Sequence, residues 1–342
     1  PGNNQPVAVT VTADNRGDLI LGRWHAERNE FEPTLIAPSA ATTLVRFHAD
    51  HPNGAVELFF SGFLGEPVEL SAVSTAERKP DQPVPEQLRI QKSNGSGVLE
   101  VNGGTLIMNG SCIIESDNPS SLRVTNGGLL QTTQIELAGD LEVDSDESIM
   151  GYLSHPEQLP PRMPFTTPDL EGLMDQTSPV SDVDEIIRLK PGLYPYGLIA
   201  TRGTYQLKGG IFFFGDQGLV LSGTAKIITK DCIIVLDKNA SFTLDGTEAK
   251  LGKPTGMNPE IADLESFSII SRQATTDCTI RLLNGASMTC SGRIMCPMAD
   301  VALKNSELRA PGMHVRTVDI EQGAIITLGD GTPHPHTVRI VQ

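Results

Sequence analysis

The acidic side chains and the cysteines are the residues of this chain that could do chemistry. The densest acidic run is Asp144-Ser145-Asp146-Glu147, which would offer three carboxylates within four residues to a calcium ion. The run lacks the ligand spacing and the glycine turn of an EF-hand. We therefore treat Asp144, Asp146 and Glu147 as a weak candidate metal site, with a solvated acidic loop as the simpler alternative.

The other acids form no catalytic constellation. Enzymes that cleave polysaccharides place Asp or Glu side chains together, or beside Lys and Arg, in a groove. Asp319 and Glu321 would lie on one face of a strand with Arg316 nearby, and ion pairing at the surface explains them most simply. The sequence contains no GxSxG, GxxxxGKS/T or HExxH motif. It therefore predicts no catalytic residue and no cofactor.

The five cysteines show neither CxxC spacing nor a histidine at zinc-ligand spacing, which argues against a structural zinc site. Cys112 and Cys232 lie inside apolar runs, so we interpret the cysteines as buried free thiols. The alternative is one disulfide among Cys278, Cys290 and Cys296. Because the number of cysteines is odd, at least one thiol would stay unpaired within the chain.

The composition excludes several classes of protein. The 342 residues carry a net charge of −16, which repels nucleic-acid phosphates and anionic lipid surfaces, so no nucleic-acid partner is expected. No apolar run approaches the ~18–20 residues that cross a bilayer, so no membrane-spanning segment is predicted. Only 5% of the residues are aromatic, while Gly (33) and Pro (24) are abundant, which suits short strands joined by turns.

Residues 1–78 hold five short runs with strand-like alternation, separated by Gly, Pro, Asn and Asp. This pattern predicts a small antiparallel β-domain of the sandwich type. Residues 79–87 then contain three prolines and no apolar period, so we expect a stiff, extended linker there.

From Leu88 onward the sequence becomes repetitive. Val101-Asn102-Gly103-Gly104 is followed 24 residues later by Thr125-Asn126-Gly127-Gly128, and a related turn occurs at Lys208-Gly209-Gly210. Glycine suits these corners because the turn between strands needs a positive φ. Short strands with glycine corners at this period predict a right-handed parallel β-helix over 88–342, whereas a β-propeller would need blades of ~40–50 residues.

Residues at about 150–195 interrupt the repeat. Their prolines exclude central strands, so we expect one long Pro-rich insertion lying over the β-helix, with a short helix at Pro168–Met174. Beyond the insertion, the most apolar run is Ile211-Phe212-Phe213-Phe214. We interpret this run as an inward-facing strand with aromatic stacking between coils, the alternative being an exposed intermolecular contact.

Several weak motifs occur in a fixed order along the chain. In the first region they are Leu21-Gly22-Arg23-Trp24, Phe31-Glu32-Pro33 and the runs 40–46 and 56–76. In the second half they are 168–173, Leu189-Lys190-Pro191-Gly192-Leu193-Tyr194 and 292–301. Together they cover most of the chain, and their order resembles the bacterial tight-adherence (TadG-like) pilus-assembly proteins. The chain departs from that family in lacking its membrane helix and in carrying Cys296 where a small residue is common.

The resemblance implies a small β-domain followed by a β-helical region, structural roles for Pro191 and Gly192, and an extracellular or cell-surface location. We therefore expect a non-enzymatic structural component of a surface appendage, which associates with itself or with other pilus and envelope proteins. Unpaired strand edges at the ends of a β-helix favour end-to-end stacking, and residues 1–78 and Gly331–His336 are the candidate caps. The alternatives are a carbohydrate-active β-helix enzyme, a polysaccharide lyase or hydrolase, and an adhesin that binds a glycan.

Overall fold

The computed structural model describes residues 8–12, 19–25, 30–37, 85–91, 97–145, 148–156, 158–179, 183–255 and 259–329. The chain divides into two compact units, whose division after Pro83 falls within the stretch predicted as a linker. No helix in the described ranges is long and apolar enough to cross a bilayer.

The first unit contains a three-stranded antiparallel sheet with the strand order β1-β2-β3. Its strands are β1 (Ala8–Thr12), β2 (Leu19–His25) and β3 (Glu30–Ala37). Residues 38–84, which hold the remaining predicted strands, lie outside the described residues, so the sandwich stays a prediction.

The second unit is a parallel β-solenoid of about 10 turns, as the repeats predict, and its coils contribute strands to three faces. Face A consists of β5 (Leu99–Asn102), β8 (Leu122–Thr125), β10 (Leu141–Val143), β14 (Leu198–Ala200), β16 (Leu219–Ser222), β18 (Ser241–Asp245), β21 (Cys278–Leu283), β24 (Ala299–Lys304) and β27 (Thr317–Glu321). Face B contains β6 (Thr105–Met108), β12 (Ile186–Leu189), β19 (Glu248–Leu251), β22 (Ser287–Cys290), β25 (Glu307–Ala310) and β28 (Ile325–Leu328). Face C contains β4 (Glu86–Ile90), β7 (Ser111–Ile114), β13 (Gly192–Tyr194), β20 (Phe267–Ser271), β23 (Arg293–Met295) and β26 (Met313–Val315). Long strands bend from face B onto face C: β9 (Leu129–Leu137), β11 (Ile149–Ser154), β15 (Thr204–Phe214) and β17 (Lys226–Leu236).

The corners between faces A and B explain the Asn-Gly repeats. Gly103 has a φ of 68° and Asn126, in the neighbouring coil, a φ of 53°, a region that Gly and Asn adopt at the least cost. Gly128 meets a different need, because a Cβ there would lie 2.2 Å from the carbonyl oxygen of Val101 in the adjacent coil. Of the other positions predicted to be structural, Gly104 and Gly127 lie in these same corners. Pro191 and Gly192 lie where β12 gives way to β13, and Gly209 and Gly210 lie inside β15, which bends from face B onto face C.

The coils do not stack in the order in which the chain makes them. β26, β27 and β28 pair in parallel with β4, β5 and β6, so the last coil of the chain rests on the first. The chain therefore enters the solenoid in its middle, winds outward to β10 and β11, restarts at the opposite end with β12 and winds back. The sequence does not indicate this order, because a repeat defines which residues form a coil and leaves open which coil lies beside it.

A segment that we call the strap, residues 155–185, connects the two ends of the solenoid. The predicted insertion at about 150–195 was too wide, since β11, β12 and β13 lie inside that range. The strap also joins β11 at one end of the solenoid to β12 at the other, whereas an insertion would leave a coil and return to it. The caps predicted at residues 1–78 and Gly331–His336 stay a prediction. In the described residues, the solenoid begins with β4 and ends with β28, which both lie in its middle, and Gly331–His336 lies outside those residues.

The length and the prolines of the strap suit the distance that it crosses. From β11 to β13, face C spans nine strand spacings, or about 43 Å. Residues 155–173 would reach about 59 Å as a polyproline II helix, so the segment is long enough to cross the face. The strap then joins the far end, where the Gln176 N–H donates to the Leu193 carbonyl at 2.7 Å and the Leu193 N–H to that of Met174 at 2.9 Å.

No helix forms at Pro168–Met174, contrary to the prediction. Gly172 has a φ of 78°, and the Glu171 N–H donates to Asp169 Oδ1 at 2.9 Å. This local turn competes with helical hydrogen bonding. The strap needs the turn rather than a helix because it has to follow face C.

A second apolar cluster lies on the outer side of face C, beneath the strap. Phe212 and Phe214 point inward, and the ring of Phe214 stacks on Tyr194 at 5.3 Å. Ile211 and Phe213 point outward, so the interpretation of the whole run as inward-facing is corrected to alternate residues. The outward residues are nevertheless buried, because they are covered by a 3₁₀ helix (Pro259–Leu264) and by Met163, Phe165, Leu170 and Leu173 of the strap.

Candidate functional site

Towards β11, the column of outward side chains on face C changes from apolar to charged. His314 of β26 lies in register with Arg89 of β4, which lies beside Ile113 of β7 and then Glu136 of β9. Arg89 is fully buried and His314 is 3% exposed. Buried charges are rare unless they are paired, so this cluster is the clearest candidate for a functional arrangement in the described residues.

Arg89 connects the solenoid to the strap. Its Nη1 donates to Glu115 Oε1 at 2.7 Å and its Nη2 to Glu86 Oε2 at 2.8 Å. The same Nη2 donates to the strap carbonyls of Pro160 at 3.0 Å and Pro161 at 3.2 Å. The guanidinium thus neutralises two carboxylates and anchors the crossing chain.

Arg162 of the strap completes the arrangement from the other side. Its Nε donates to Glu115 Oε1 at 3.0 Å and its Nη2 pairs with Glu115 Oε2. We call Glu86, Arg89, Glu115 and Arg162 the strap latch. Burial acts to raise the pKa of Glu115, but the hydrogen bonds and charges of Arg162 and Arg89 outweigh it and leave that pKa lowered.

His314 and Glu136 lie on either side of the latch, and burial disfavours the charged form of each. Burial lowers the pKa of His314 to about 4, with Arg89 acting in the same direction and Glu86 in the opposite one. Burial also raises the pKa of Glu136. Neither ring nitrogen of His314 has a hydrogen-bond partner within the described part of the chain.

Sequence reasoning missed the strap latch. Leu88-Arg89-Ile90 has the alternation of a strand with one polar face, and Arg162 lies among prolines. The sequence offered two signals. Glu86 and Arg89 lie three residues apart at the first strand of the repetitive region, and Arg162 lies in the Pro-rich segment. These signals alone predict nothing about burial.

The weak metal candidate falls mostly outside the described residues, which include Asp144 but not Asp146 or Glu147. Asp144 is exposed, and its Oδ2 accepts a hydrogen bond from the Asn126 N–H at 2.6 Å. Within the described ranges, no group of three or more His, Cys, Asp or Glu residues is arranged to hold a metal ion.

Arg316 is paired elsewhere than the sequence indicated. Its Nε donates to Asp300 Oδ1 at 2.8 Å and its Nη1 to Asp277 Oδ1 at 2.7 Å. Arg316 therefore does not form an ion pair with Asp319. Asp319 lies in register with Glu100 on face A. Burial raises the pKa of Asp319 to about 6, and the charges of Glu321 and Glu100 add to the effect. The interpretation of Asp319 as part of a surface ion pair was therefore wrong.

Replacing Asp319 by Asn should stabilise the protein above pH 6. Because the folded-state pKa of about 6 exceeds the ordinary value of ~3.9, this carboxyl costs stability progressively as pH rises between those values. After allowance for partial exposure we expect a gain of about 1 kcal/mol at pH 8 and none at pH 4, measured by urea unfolding. Asp300→Asn is the matched control and should destabilise at pH 8, since the Arg316 pair lowers the pKa of Asp300 against its burial. Equal destabilisation by Asp319→Asn at both pH values would contradict the assignment.

All five cysteines are buried free thiols in the structure. Cys112 and Cys232 belong to the main core, and burial raises the pKa of Cys232 to about 12. Of the three residues considered for a disulfide, Cys278 is a close neighbour of Cys296 and, after burial, contributes to raising the pKa of the Cys296 thiol. Cys290 ends β22 on face B. A disulfide stays a prediction, and these contacts favour the pair Cys278–Cys296.

Refolding in a glutathione redox buffer provides the test of that pair. We expect non-reducing peptide mass spectrometry to find Cys278 linked to Cys296, since oxidised glutathione can accept the two electrons by thiol–disulfide exchange. Cys290→Ser should leave the link intact and Cys278→Ser should abolish it. A bridge that contains Cys290 would contradict the prediction.

A polar cavity of about 440 Å³ lies at the corner between faces C and A. Its lining residues are Asp237, Lys238, Arg272, Gln273, Thr275, Thr276 and Asp277. Arg272 pairs with Asp237 at 3.4 Å and lies 5.9 Å from the centre of the Phe213 ring. Arg272, Asp237 and Asp277 at this cavity therefore already have partners within the fold.

Comparison of the chain with known proteins finds no matching family model, no matching curated protein and no matching solved structure.

Proposed function

We propose that this chain is a non-enzymatic structural subunit of a bacterial cell-surface appendage, assembled by stacking solenoids end to end. The observation that carries the proposal is the joint between β26–β28 and β4–β6. Two coils that do not follow one another along the chain meet there as if they were consecutive. The same stacking is available between two copies.

The chemistry of the joint is general rather than specific to one pair of coils. Inward-facing side chains meet in register, with Met313 beside Leu88, Val318 beside Leu99 and Ile326 beside Leu106. Backbone ladders and apolar contacts provide the attraction, and both continue from coil to coil throughout a solenoid. No covalent link between the coils is needed.

The structure of the strap supports a mechanical role. The centre of the strap latch is shielded from solvent, with 1% of the Arg89 side chain and 8% of the Glu115 side chain exposed, whereas 53% of the Arg162 side chain is exposed. The latch fixes the strap to face C, and a strap held in this way would keep the two ends of the solenoid at a constant separation. The resemblance to tight-adherence proteins supports the cell-surface location.

Self-association of the purified full-length chain tests the proposal. Electron microscopy and sedimentation velocity should show linear assemblies whose length grows with protein concentration. Immunogold labelling of intact cells that produce the chain should place it on their surface. A strictly monomeric species at high concentration, or label confined to the cell interior, would contradict the proposal.

A carbohydrate-active enzyme is the second candidate, and one observation favours it. Glu115 and Glu136 have pKa values displaced in opposite directions, as in sites that pair an acid with a base. Such a site would need the strap to move, because it covers the latch. Turnover of a polysaccharide panel, abolished by Glu115→Gln in a folded protein, would favour the enzyme over the structural subunit.

A further inference from the structure

The exposed large apolar side chains concentrate at one end of the solenoid. Most of those in the described residues lie in the strap and in the coil that begins with β12: Met174, Val183, Ile186, Tyr196 and Ile199. Tyr196 is 79% exposed, Met174 74% and Ile186 64%. We call this surface, with the outer edge of β12, the β12 end. An exposed apolar cluster of this kind on a soluble protein marks a contact surface.

The opposite surface, which we call the β11 end, consists of β10 and β11. In the described residues no strand pairs with the outer edges of β10, β11 or β12. The inward side chains of the last coil, Leu141, Val143 and Leu153, pack on the core yet stay partly exposed. Within the part of the chain that the structure describes, no further coil covers the core at this end.

We infer that the β12 end of one copy docks on the β11 end of a second copy, with β12 pairing beside the first half of β11. This inference rests on the proposed function and specifies its contact. On face B the inward residues of the two strands are Ile187 and Ile149, and we place them opposite one another. The outward residues Arg188 and Met150 then become neighbours.

A second copy fits this surface because the two ends are parts of one repeating structure. Every ladder of the solenoid is parallel, so translation along the axis presents β12 to β11 in the direction that the ladder requires. The two surfaces differ, so the contact is heterologous and repeats without closing, which gives a filament. The joint inside the chain already has this geometry.

The docking geometry predicts an axial repeat. Face B receives ten strands from one chain, from β12 through β28 and β6 to β11, so each copy adds about 48 Å to the filament. Electron micrographs of the filament should show this repeat. A repeat of about twice that length would indicate pairing of like ends and overturn the inference.

Cysteine crosslinking tests the register. The variant carrying both Met150→Cys and Arg188→Cys should form a ladder of covalent oligomers on mild copper-catalysed oxidation by dioxygen, while each single variant should form none. The native thiols are buried and provide a low background. Filaments that form without this ladder would overturn the inference and leave the proposed function standing.

A matched pair of substitutions tests the surface. Ile186→Glu replaces an exposed apolar side chain at the docking edge by a charge and should weaken self-association about tenfold or more, as measured by sedimentation. Ile325→Glu alters a side chain that is 39% exposed on β28, in mid-solenoid on the same face, and should have no such effect. Equal weakening by both variants would overturn the docking surface, and monomers from the unmodified chain would instead overturn the proposed function.

Discussion

Replacing Arg89 by Met is expected to destabilise the protein by about 3–5 kcal/mol, the largest effect of any single substitution that we predict. The variant leaves the carboxylates of Glu86 and Glu115 beneath the strap without the guanidinium that neutralises both. It also removes the donors to the Pro160 and Pro161 carbonyls, so the strap loses an anchor. Urea unfolding at pH 7 measures the change.

Arg123→Met is the matched control for this experiment. Arg123 also bridges two carboxylates, Glu100 at 3.2 Å and Glu142 at 3.0 Å, but 32% of its side chain is exposed on face A. Water and salt screen such pairs, so its removal should cost about 1 kcal/mol or less. Adding Glu86→Gln and Glu115→Gln to Arg89→Met should restore part of the loss. If Arg89→Met lowers the free energy of unfolding no more than Arg123→Met does, the strap latch stabilises the protein no more than an exposed ion pair.

Acidification from pH 7 to pH 4 is expected to remove about 3 kcal/mol of stability through His314 alone. The folded-state pKa of about 4 lies below the ordinary ~6.5, so the neutral ring favours folding above pH 6.5 and that advantage is lost as pH falls towards 4. A protonated His314 would have to be accommodated under the strap beside Arg89, with Glu86 and Glu115 offsetting only part of the cost.

The His314→Gln variant isolates this effect. Its free energy of unfolding should change little between pH 6.5 and pH 5, whereas that of the parent should fall. Asp319 titrates in the same window with the opposite sign, so both proteins are best compared in an Asp319→Asn background. Equal pH dependence with and without His314 would rule out the histidine as the source.

The coil pattern could be predicted from sequence because its causes are local. Gly103 and Asn126 take positive φ values that few other residues adopt, and they mark successive corners at a constant interval. The alternation in strands such as β24, where Val301 and Leu303 are buried and Ala302 and Lys304 are not, is likewise a property of a few adjacent residues.

The features that were missed depend on residues far apart in the chain. Arg89 and Ile211 both point away from the solenoid interior, and each is buried only because another segment covers it. Pro160 contacts Arg89 across 71 residues of sequence. Proline content predicted that the segment would lie over the solenoid, but nothing local indicated that it runs from one end to the other.

The joint in mid-solenoid has a consequence for how the chain is made. Arg293 Nη1 donates to the carbonyl of Glu86, 207 residues earlier, and β26–β28 follow later still. A chain emerging from the ribosome therefore holds an unsatisfied strand edge on β4–β6 until β26–β28, more than 200 residues later, have been translated. Native contacts so distant in sequence slow folding, and the waiting edge can pair with the wrong neighbour. Truncation before β26 should accordingly yield a product prone to aggregation rather than a shorter stable solenoid.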